Sequence, residues 1–379
     1  MKSRNRLRRP PQRSLLHPSR RQFLQASAAT LSGMALSGCG WTLAEVRPAP
    51  AAPGRTDQLY IYTWSSYIDD KLREEFRAQT GIEVFADVFD SDDTMLAAMQ
   101  AGKGASYSII YPSSYGVERL QELKLAMELD KSKLNGLENI PPQFQQAPSD
   151  PGNRYSIPIS WGTTGFIYNK EMLKEAPTDW GYLWQNKDKL SQRMTLLNDV
   201  REVMGGVLKS LGYSYNSQKA TEIEAAYKKL VELKPAIASF TSDGWRDQIL
   251  AGDLWLAMGY SADAFGVIEE NPKLGYVIPS SGTSLWSDSM VIPKTAPNVE
   301  GAYAWINLML QPSVISAVCQ RLNFAPPNTG AYDQLPLQVR ENPILFPPQE
   351  VLDKAETIAP VEKSATELYD RYWTKLTSG

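Results

Sequence analysis

Histidine is all but missing: the 379-residue chain has one, His17, and it falls in a stretch read below as a cleaved leader. Without imidazole, Ser-His-Asp and Cys-His catalytic centres are excluded, and a zinc site loses its usual nitrogen ligands; no catalytic residue, metal or cofactor is expected on the reading developed below. Cysteine is nearly as scarce, at two residues. Cys319 lies in a helical pattern over 314–322, where a small buried apolar side chain fits better than a reactive thiol, and it has no internal disulfide partner if Cys39 is modified. Stability must then rest on packing, for which ten Trp and eighteen Tyr in a chain of this length are ample for two domains. Excess positive charge is also lacking beyond the front of the chain. Residues 1–38 hold eight of the 39 basic residues and no acid, which leaves 31 basic against 42 acidic residues, a formal charge of about −11. That balance speaks against nucleic acid or an anionic membrane surface as partner, and mildly favours cationic ligands.

The front of the chain has the profile of an export signal. Lys2, Arg4, Arg6, Arg8, Arg9, Arg13, Arg20 and Arg21 precede an apolar run over 26–36 that is too short to remain as a membrane span. Ser19-Arg20-Arg21-Gln22-Phe23-Leu24 reads as a twin-arginine address at the join of the basic and apolar regions. The run closes on Leu36-Ser37-Gly38-Cys39, a lipobox-like sequence in which Cys39 would carry lipid; the plainer alternative is small residues at a cleavage site with an incidental Cys. Closely spaced prolines over 47–54 then read as an extended tether.

From Gln58 onward the periodicity is α/β. Strands are expected over 59–63, 82–89 and 107–111, and helices over 69–79, 94–101 and 116–123, a βαβαβα series that implies a largely parallel sheet. A second α/β unit starts near Trp161, with strands over 166–168, 194–197, 254–258 and 276–278 and helices over 203–211 and 222–233. Open α/β sheets bind ligands beyond the carboxyl ends of their strands. Trp64, Ser65 and Tyr67 follow the first strand and Ser113 and Tyr115 the third, so both groups should share that edge. Met95, Met99, Tyr227, Leu230 and Leu233 have helical core spacing, and Asp90, Asp92 and Asp93 read as a solvated turn capping the next helix rather than a calcium loop.

Several stretches in order resemble the polyamine-binding proteins of ABC importers, the spermidine and putrescine receptors of the bacterial periplasm. They are Tyr62-Thr63-Trp64-Ser65-Ser66-Tyr67, Thr80-Gly81-Ile82-Glu83-Val84, Tyr111-Pro112-Ser113-Ser114-Tyr115, Leu129-Asp130-Lys131-Ser132-Lys133-Leu134, Ile157-Pro158-Ile159-Ser160-Trp161-Gly162 and Trp286-Ser287-Asp288-Ser289-Met290-Val291-Ile292-Pro293. The resemblance spans about 58–379. It implies a two-lobe periplasmic-binding-protein fold of type II, each lobe a mixed sheet flanked by helices, with the ligand cleft between lobes that close over it. One lobe would comprise 57–161 plus about 286–331, the other 162–285 plus about 332–379, after a signal over 1–38 and a tether over 39–56. The implied role is capture of a polyamine on the periplasmic side of the membrane and delivery to an ABC permease, by a lipid-anchored monomer that is not an enzyme. Trp64, Tyr67, Ser113, Tyr115, Asp199, Glu202, Trp286 and Asp288 match ligand contacts of spermidine-binding members. Ser65 stands where a Thr is usual, Tyr260 where a Trp is, and Thr374 in place of a Gln. Asp263 instead matches an Asp used by putrescine-binding members, so the chain mixes features of both subgroups.

The residue types suit that ligand. A polyamine is a flexible apolar chain with an ammonium at each end, which calls for carboxylates at the ends and aromatic faces between them. Charge-assisted hydrogen bonds contribute roughly 1.5–3 kcal/mol each and desolvated cation–π contacts roughly 0.5–2. Two or three of each exceed the roughly 8 kcal/mol of micromolar binding. Each acid also has a structural alternative. Asp199 and Glu202 have the spacing of an N-cap and its capping-box partner, where the helix dipole would keep both ionised, and Asp288 lies where a turn-forming Asp would. A receptor for another organic cation fits the same aromatic box. A secreted glycoside hydrolase is the alternative of a different class, and it would need two carboxyl groups about 5–9.5 Å apart.

Overall fold

The computed structural model describes residues 56–378. The export signal, the twin-arginine pair, Cys39 and nearly all of the tether lie outside the described residues. Among the described residues, nine strands and ten helices of seven or more residues are joined by short helical turns. Three βα units come first: β1 (Gln58–Thr63), α1 (Asp70–Thr80), β2 (Glu83–Val88), α2 (Asp92–Gln100), β3 (Ile109–Ile110) and α3 (Ser114–Glu122). Local chemistry sets their ends. Asp69 caps α1 by accepting from the Leu72 N–H, and Gly81, at φ +75°, stops it in the left-handed conformation that glycine adopts without a Cβ clash. Ser91 and Ser113 cap α2 and α3 in the same way.

The middle of the molecule is β4 (Ser156–Asn169), a strand of 14 residues shared by two sheets. Its first half pairs antiparallel with β9 (Leu285–Val291), and its second half with β7 (Leu256–Tyr260) and β8 (Leu274–Val277). One sheet therefore runs β2-β1-β3-β9-β4, and the other continues β4-β7-β5-β6, where β5 is Met194–Leu196 and β6 is Ile237–Phe240. Both sheets are mixed, as the resemblance implies, and the largely parallel series expected from periodicity holds only within β2-β1-β3 and β7-β5-β6. The parallel strands come from the βαβ units; in the first sheet β9 alone runs against its neighbours, and in the second β4 runs against β7 and β8.

The sequence also concealed the first half of β4. Pro158 cannot donate to a ladder, and the register shifts between Pro158 and Ser160, so the stretch lacks the uninterrupted pattern of a strand. The second-lobe helices are α4 (Val200–Ser210), α5 (Ala220–Leu233), α6 (Trp245–Ala251) and α7 (Ser261–Glu270); α8 (Val299–Met309) and α9 (Pro312–Leu322) cover the first sheet, and α10 (Lys363–Thr377) packs on α4 and α5. The periodicity anticipated α4 and α5 but not α6, α7 or α10.

Buried side chains fall into separate cores on the two sheets. On the first, Leu59, Ile61, Phe76, Ile109, Trp305 and Cys319 pack on one face, and Met95, Met99 and Leu120 on the other. Phe166, Trp180, Met204, Leu230, Leu233 and Tyr369 fill the second. Cys319 and the two methionines are thus packing residues, and the Cys319 thiol reaches only the Ile159 carbonyl, at 3.8 Å. In the second core α4 approaches its neighbours through Gly205 and Gly206. A Cβ at Gly205 would lie 2.1 Å from the ring of the fully buried Tyr215. We expect Gly205→Ala to destabilise by about 1–3 kcal/mol through overpacking, in spite of a helix-propensity gain of up to about 1 kcal/mol. The denaturant midpoint reads this, and an unchanged or raised midpoint would mean that the Tyr215 ring yields freely.

Candidate functional site

The strongest convergence of polar and aromatic groups lies where the carboxyl ends of the first-lobe strands meet the crossing strands. After Thr63 the chain turns through Trp64-Ser65-Ser66-Tyr67. The Trp64 ring packs edge-on against Phe89, which follows β2, at 4.4 Å. Tyr67 points inward, donating its hydroxyl to Asp288 Oδ2 and lying 3.2 Å from Ser160 Oγ. Ser160 is the register partner of Asp288 across β4 and β9, and its own hydroxyl reaches Asp288 Oδ2 at 3.3 Å. Asp288 is therefore a strand residue, not the turn Asp that the sequence allowed for. Strand alternation puts Trp286 on the same face as Asp288, opposite Gly162. A Cβ there would come within 2.2 Å of the indole, so only glycine lets the ring lie on β4. Ser287 and Ser289 turn to the other face, where they line a separate small hollow with Phe144, Ser156 and Pro158.

The second lobe contributes Asp199, Glu202 and Tyr260. Asp199 caps α4, accepting from the N–H groups of Arg201 and Glu202 at 2.9 and 3.0 Å through Oδ1 alone. Glu202 does not complete a capping box. It turns into the protein, 3 % exposed, and accepts from the Ser284 hydroxyl at 2.8–2.9 Å and from the Tyr215 hydroxyl at 3.3 Å. Tyr260 closes β7, and its ring meets Trp286 edge-on at 5.9 Å. Of its neighbouring charges, Glu202 raises the Tyr260 pKa most after burial, followed by Asp199, Asp263 and Asp288, so this hydroxyl lies within electrostatic reach of all four acids.

Burial governs the acids. It pushes Glu202 up to about 8, helped by the charge of Asp199, and Asp288 up to about 7 against the opposing bonds from Tyr67 and Ser160. Asp199 is raised as well, because desolvation outweighs the two backbone bonds and the nearby Arg201; the expectation that the helix dipole keeps both ionised is corrected for Glu202, whose burial outweighs it. Asp92 was missed. The turn over 90–93 is not simply solvated, because Asp92 lies partly buried on Ser113, accepting from its N–H at 3.1 Å and from its hydroxyl. Its pKa rises to about 6 through burial, and the charge of Asp199 in the opposite lobe adds to the shift. Nothing in the one-dimensional pattern distinguishes it from Asp90 or Asp93.

Other residues singled out from the sequence stand apart. Asp263 is ion-paired with Arg246 at 2.6 Å, so its charge is already matched. Ser65 is exposed and touches only Ser66 through its side chain. Tyr115 is partly buried and feels Asp93 and Arg201, on opposite sides of the groove. Thr374 is exposed on α10, where its carbonyl accepts from Ser378; no hydrogen bond of its side chain joins it to the cluster. Phe324 is a second residue that the sequence did not reveal, meeting both Tyr67 and Trp286 at 5.3 and 5.7 Å. Among the described residues no Lys or Arg forms an ion pair with Asp92, Asp199, Glu202 or Asp288. The site is a set of acids on hydroxyl and backbone donors, walled by rings, whose ionised forms can hold a cation.

Over residues 71–347 the sequence matches the family described as bacterial extracellular solute-binding protein. It is 35 % identical over 324 residues to the spermidine/putrescine-binding periplasmic protein of Salmonella typhimurium, covering 85 % of this chain and 92 % of that protein. Among solved structures, it is similar to the spermidine/putrescine ABC transporter substrate-binding protein PotD of Streptococcus pneumoniae, with 35 % identity, a TM-score of 0.76, and coverage of 85 % of this chain and 99 % of that one. The TpPotD lipoprotein of Treponema pallidum aligns with 26 % identity and a TM-score of 0.76, covering 85 % of this chain and all of that one.

The raised Glu202 pKa has a direct consequence for stability. A carboxyl near 4.5 when unfolded and near 8 when folded contributes fully below pH 4.5, and its contribution declines as pH rises through 8. Glu202→Gln keeps the neutral form at every pH. The ligand-free variant should lie within about 1 kcal/mol of the parent at pH 5 and exceed it at pH 8 by on the order of 4 kcal/mol, read as a difference in thermal midpoint. A gap that does not change with pH would contradict a proton on Glu202.

Proposed function

The chain belongs to the bacterial extracellular solute-binding protein family, and on that footing we propose that it captures a polyamine outside the cytoplasmic membrane and passes it to an ABC permease. The observation that carries this reading is the order of groups along one face of the crossing strand. Ser284, which holds Glu202, is followed two residues later by Trp286 and two later again by Asp288. At about 3.3 Å per strand residue Ser284, which holds Glu202, and Asp288 are about 13 Å apart along the backbone, with an indole between them. Acid, ring, acid is the complement of ammonium, methylenes, ammonium. An extended single-bonded chain advances about 1.2 Å per bond. The nine bonds between the terminal nitrogens of spermidine thus span about 11 Å, and the five of putrescine about 6 Å. The spacing favours the longer amine. It also exceeds the roughly 5–9.5 Å between the paired carboxyl groups of glycosidases, which supports binding without chemistry.

Trp64, Tyr67, Ser113, Tyr115, Tyr260, Trp286, Asp199, Glu202 and Asp288 are the contacts we propose, with Asp92 and Phe324 added by the geometry. Ser65 and Thr374 stay outside the set, and Asp263 would join only by giving up Arg246. The expected sequence of events is entry of the cation between the lobes, displacement of protons from the acids, and closure that presents a ligand-loaded shape to the permease. Export through the twin-arginine signal and anchoring through a lipid on Cys39, as a monomer, complete the reading. The lipoprotein among the relatives supports the anchor, and Cys39→Ser should then release the protein from the membrane fraction.

Titration calorimetry of the purified protein tests the ligand. Spermidine should bind more tightly than putrescine, and Asp288→Asn should weaken it roughly 10- to 100-fold through loss of one charge-assisted bond. Because cation binding favours the ionised acids, between about one and two protons should leave per spermidine at pH 7, and affinity should rise with pH from 6 toward 8, by more than about tenfold per unit near pH 6 and by less near pH 8. Binding of an amino acid or a single quaternary ammonium in preference to every polyamine would defeat the assignment.

A further inference from the structure

The turn that carries Trp64 and Tyr67 is gripped from outside the groove by one side chain. Ser66 sits at φ +66°, in the left-handed region that residues other than Gly and Asn rarely occupy. Such a conformation persists where the surroundings over-determine it. Arg321, in the last turn of α9, uses all three of its guanidinium nitrogens on this turn. Nη1 donates to the Ser66 carbonyl at 2.5 Å, Nη2 to the Tyr67 carbonyl at 3.0 Å, and Nε pairs with Asp69 Oδ2 at 2.9 Å. Asp69 meanwhile caps α1 through its other oxygen. The guanidinium therefore links the strained residue, its successor and the start of the next helix. Its side chain keeps about a third of its surface in solvent, so it approaches the turn from the outer side, while Tyr67 points inward to Asp288. The end of α9 adds a second hold: Asn323 takes the left-handed cap position and sets Phe324 against the Tyr67 ring.

We propose that Arg321 is a positioning residue for ligand capture. It fixes the left-handed turn at Ser66 so that the Tyr67 hydroxyl stays on Asp288 and the Trp64 ring stays at the groove, and it does not touch the ligand. The fork geometry matters, because two carbonyls and a carboxylate are met by one planar group, which a lysine ammonium can reproduce only in part. This inference rests on the proposed role of the Trp64–Tyr67 turn in binding.

The test is a double-mutant cycle by calorimetry with spermidine, with a thermal melt for every variant. Arg321→Met should weaken binding about tenfold with little change in the melt, and Arg321→Lys should fall between Met and the parent. Adding Ser66→Gly to Arg321→Met should recover part of the loss, since glycine enters the left-handed region without strain. In a Tyr67→Phe background Arg321→Met should cost less than about twofold, because the route to Asp288 is already cut. Parent-like affinity in Arg321→Met, an undiminished loss in the Tyr67→Phe background, or a loss that merely tracks a collapsed melt would overturn the proposal. If the parent bound no polyamine, the functional reading would fail, and the clamp would be judged separately. A crystal structure of Arg321→Met should show Ser66 outside the left-handed region, and an unmoved turn would overturn the clamp whatever the ligand.

Discussion

Glu202 and Asp288 are held out of water by hydroxyl groups alone, and the rest of the site follows from that constraint. A hydroxyl can satisfy the geometry of a carboxylate without neutralising its charge. Ser284 and Tyr215 at one end, and Tyr67 and Ser160 at the other, therefore leave two acids whose ionised forms are disfavoured until a cation arrives. An ion pair at either place would make a tighter resting protein and a poorer receptor, as Asp263 illustrates on Arg246. The high pKa values are the thermodynamic trace of this arrangement, and on the proposed function a bound ammonium would supply the positive charge that the hydroxyls do not.

The crossing strands make that deficit directional. Because β4 belongs to both sheets and β9 pairs with its first half, one antiparallel ladder sets Ser160 against Asp288 and Gly162 against Trp286, and delivers Ser284 to Glu202. Lobe motion about such a ladder would alter the distances from Asp92 and Trp64 to Asp199 and Tyr260 more than those along β9.

The legible part of the fold was the part built from local chemistry. Asp69, Gly81 and Ser113 act at helix ends where their side chains or backbone freedom are needed, and β1, α1, β2 and α2 lie within a few residues of the positions expected from periodicity. The packing roles of Met95, Met99 and Cys319 were legible for the same reason, since helical spacing alone assigns a face. What was misread depended on partners distant in sequence. Glu202 has the spacing of a capping-box residue, but turns to Ser284, 82 residues away. Asp288 looks like a turn residue because its strand partner Ser160 is invisible in a single sequence, and Asp92 differs from its acidic neighbours only in facing Ser113.

By itself the sequence determined the chemistry available: no imidazole beyond His17, an acidic body, aromatic residues after the strands, and the caps and breaks that define its α/β units. Only the tertiary structure decided which acids are deprived of both water and cations, and which are matched. That decision rests on desolvation and on charges at distances of a few ångströms, quantities set by how remote segments pack and carried by no residue alone.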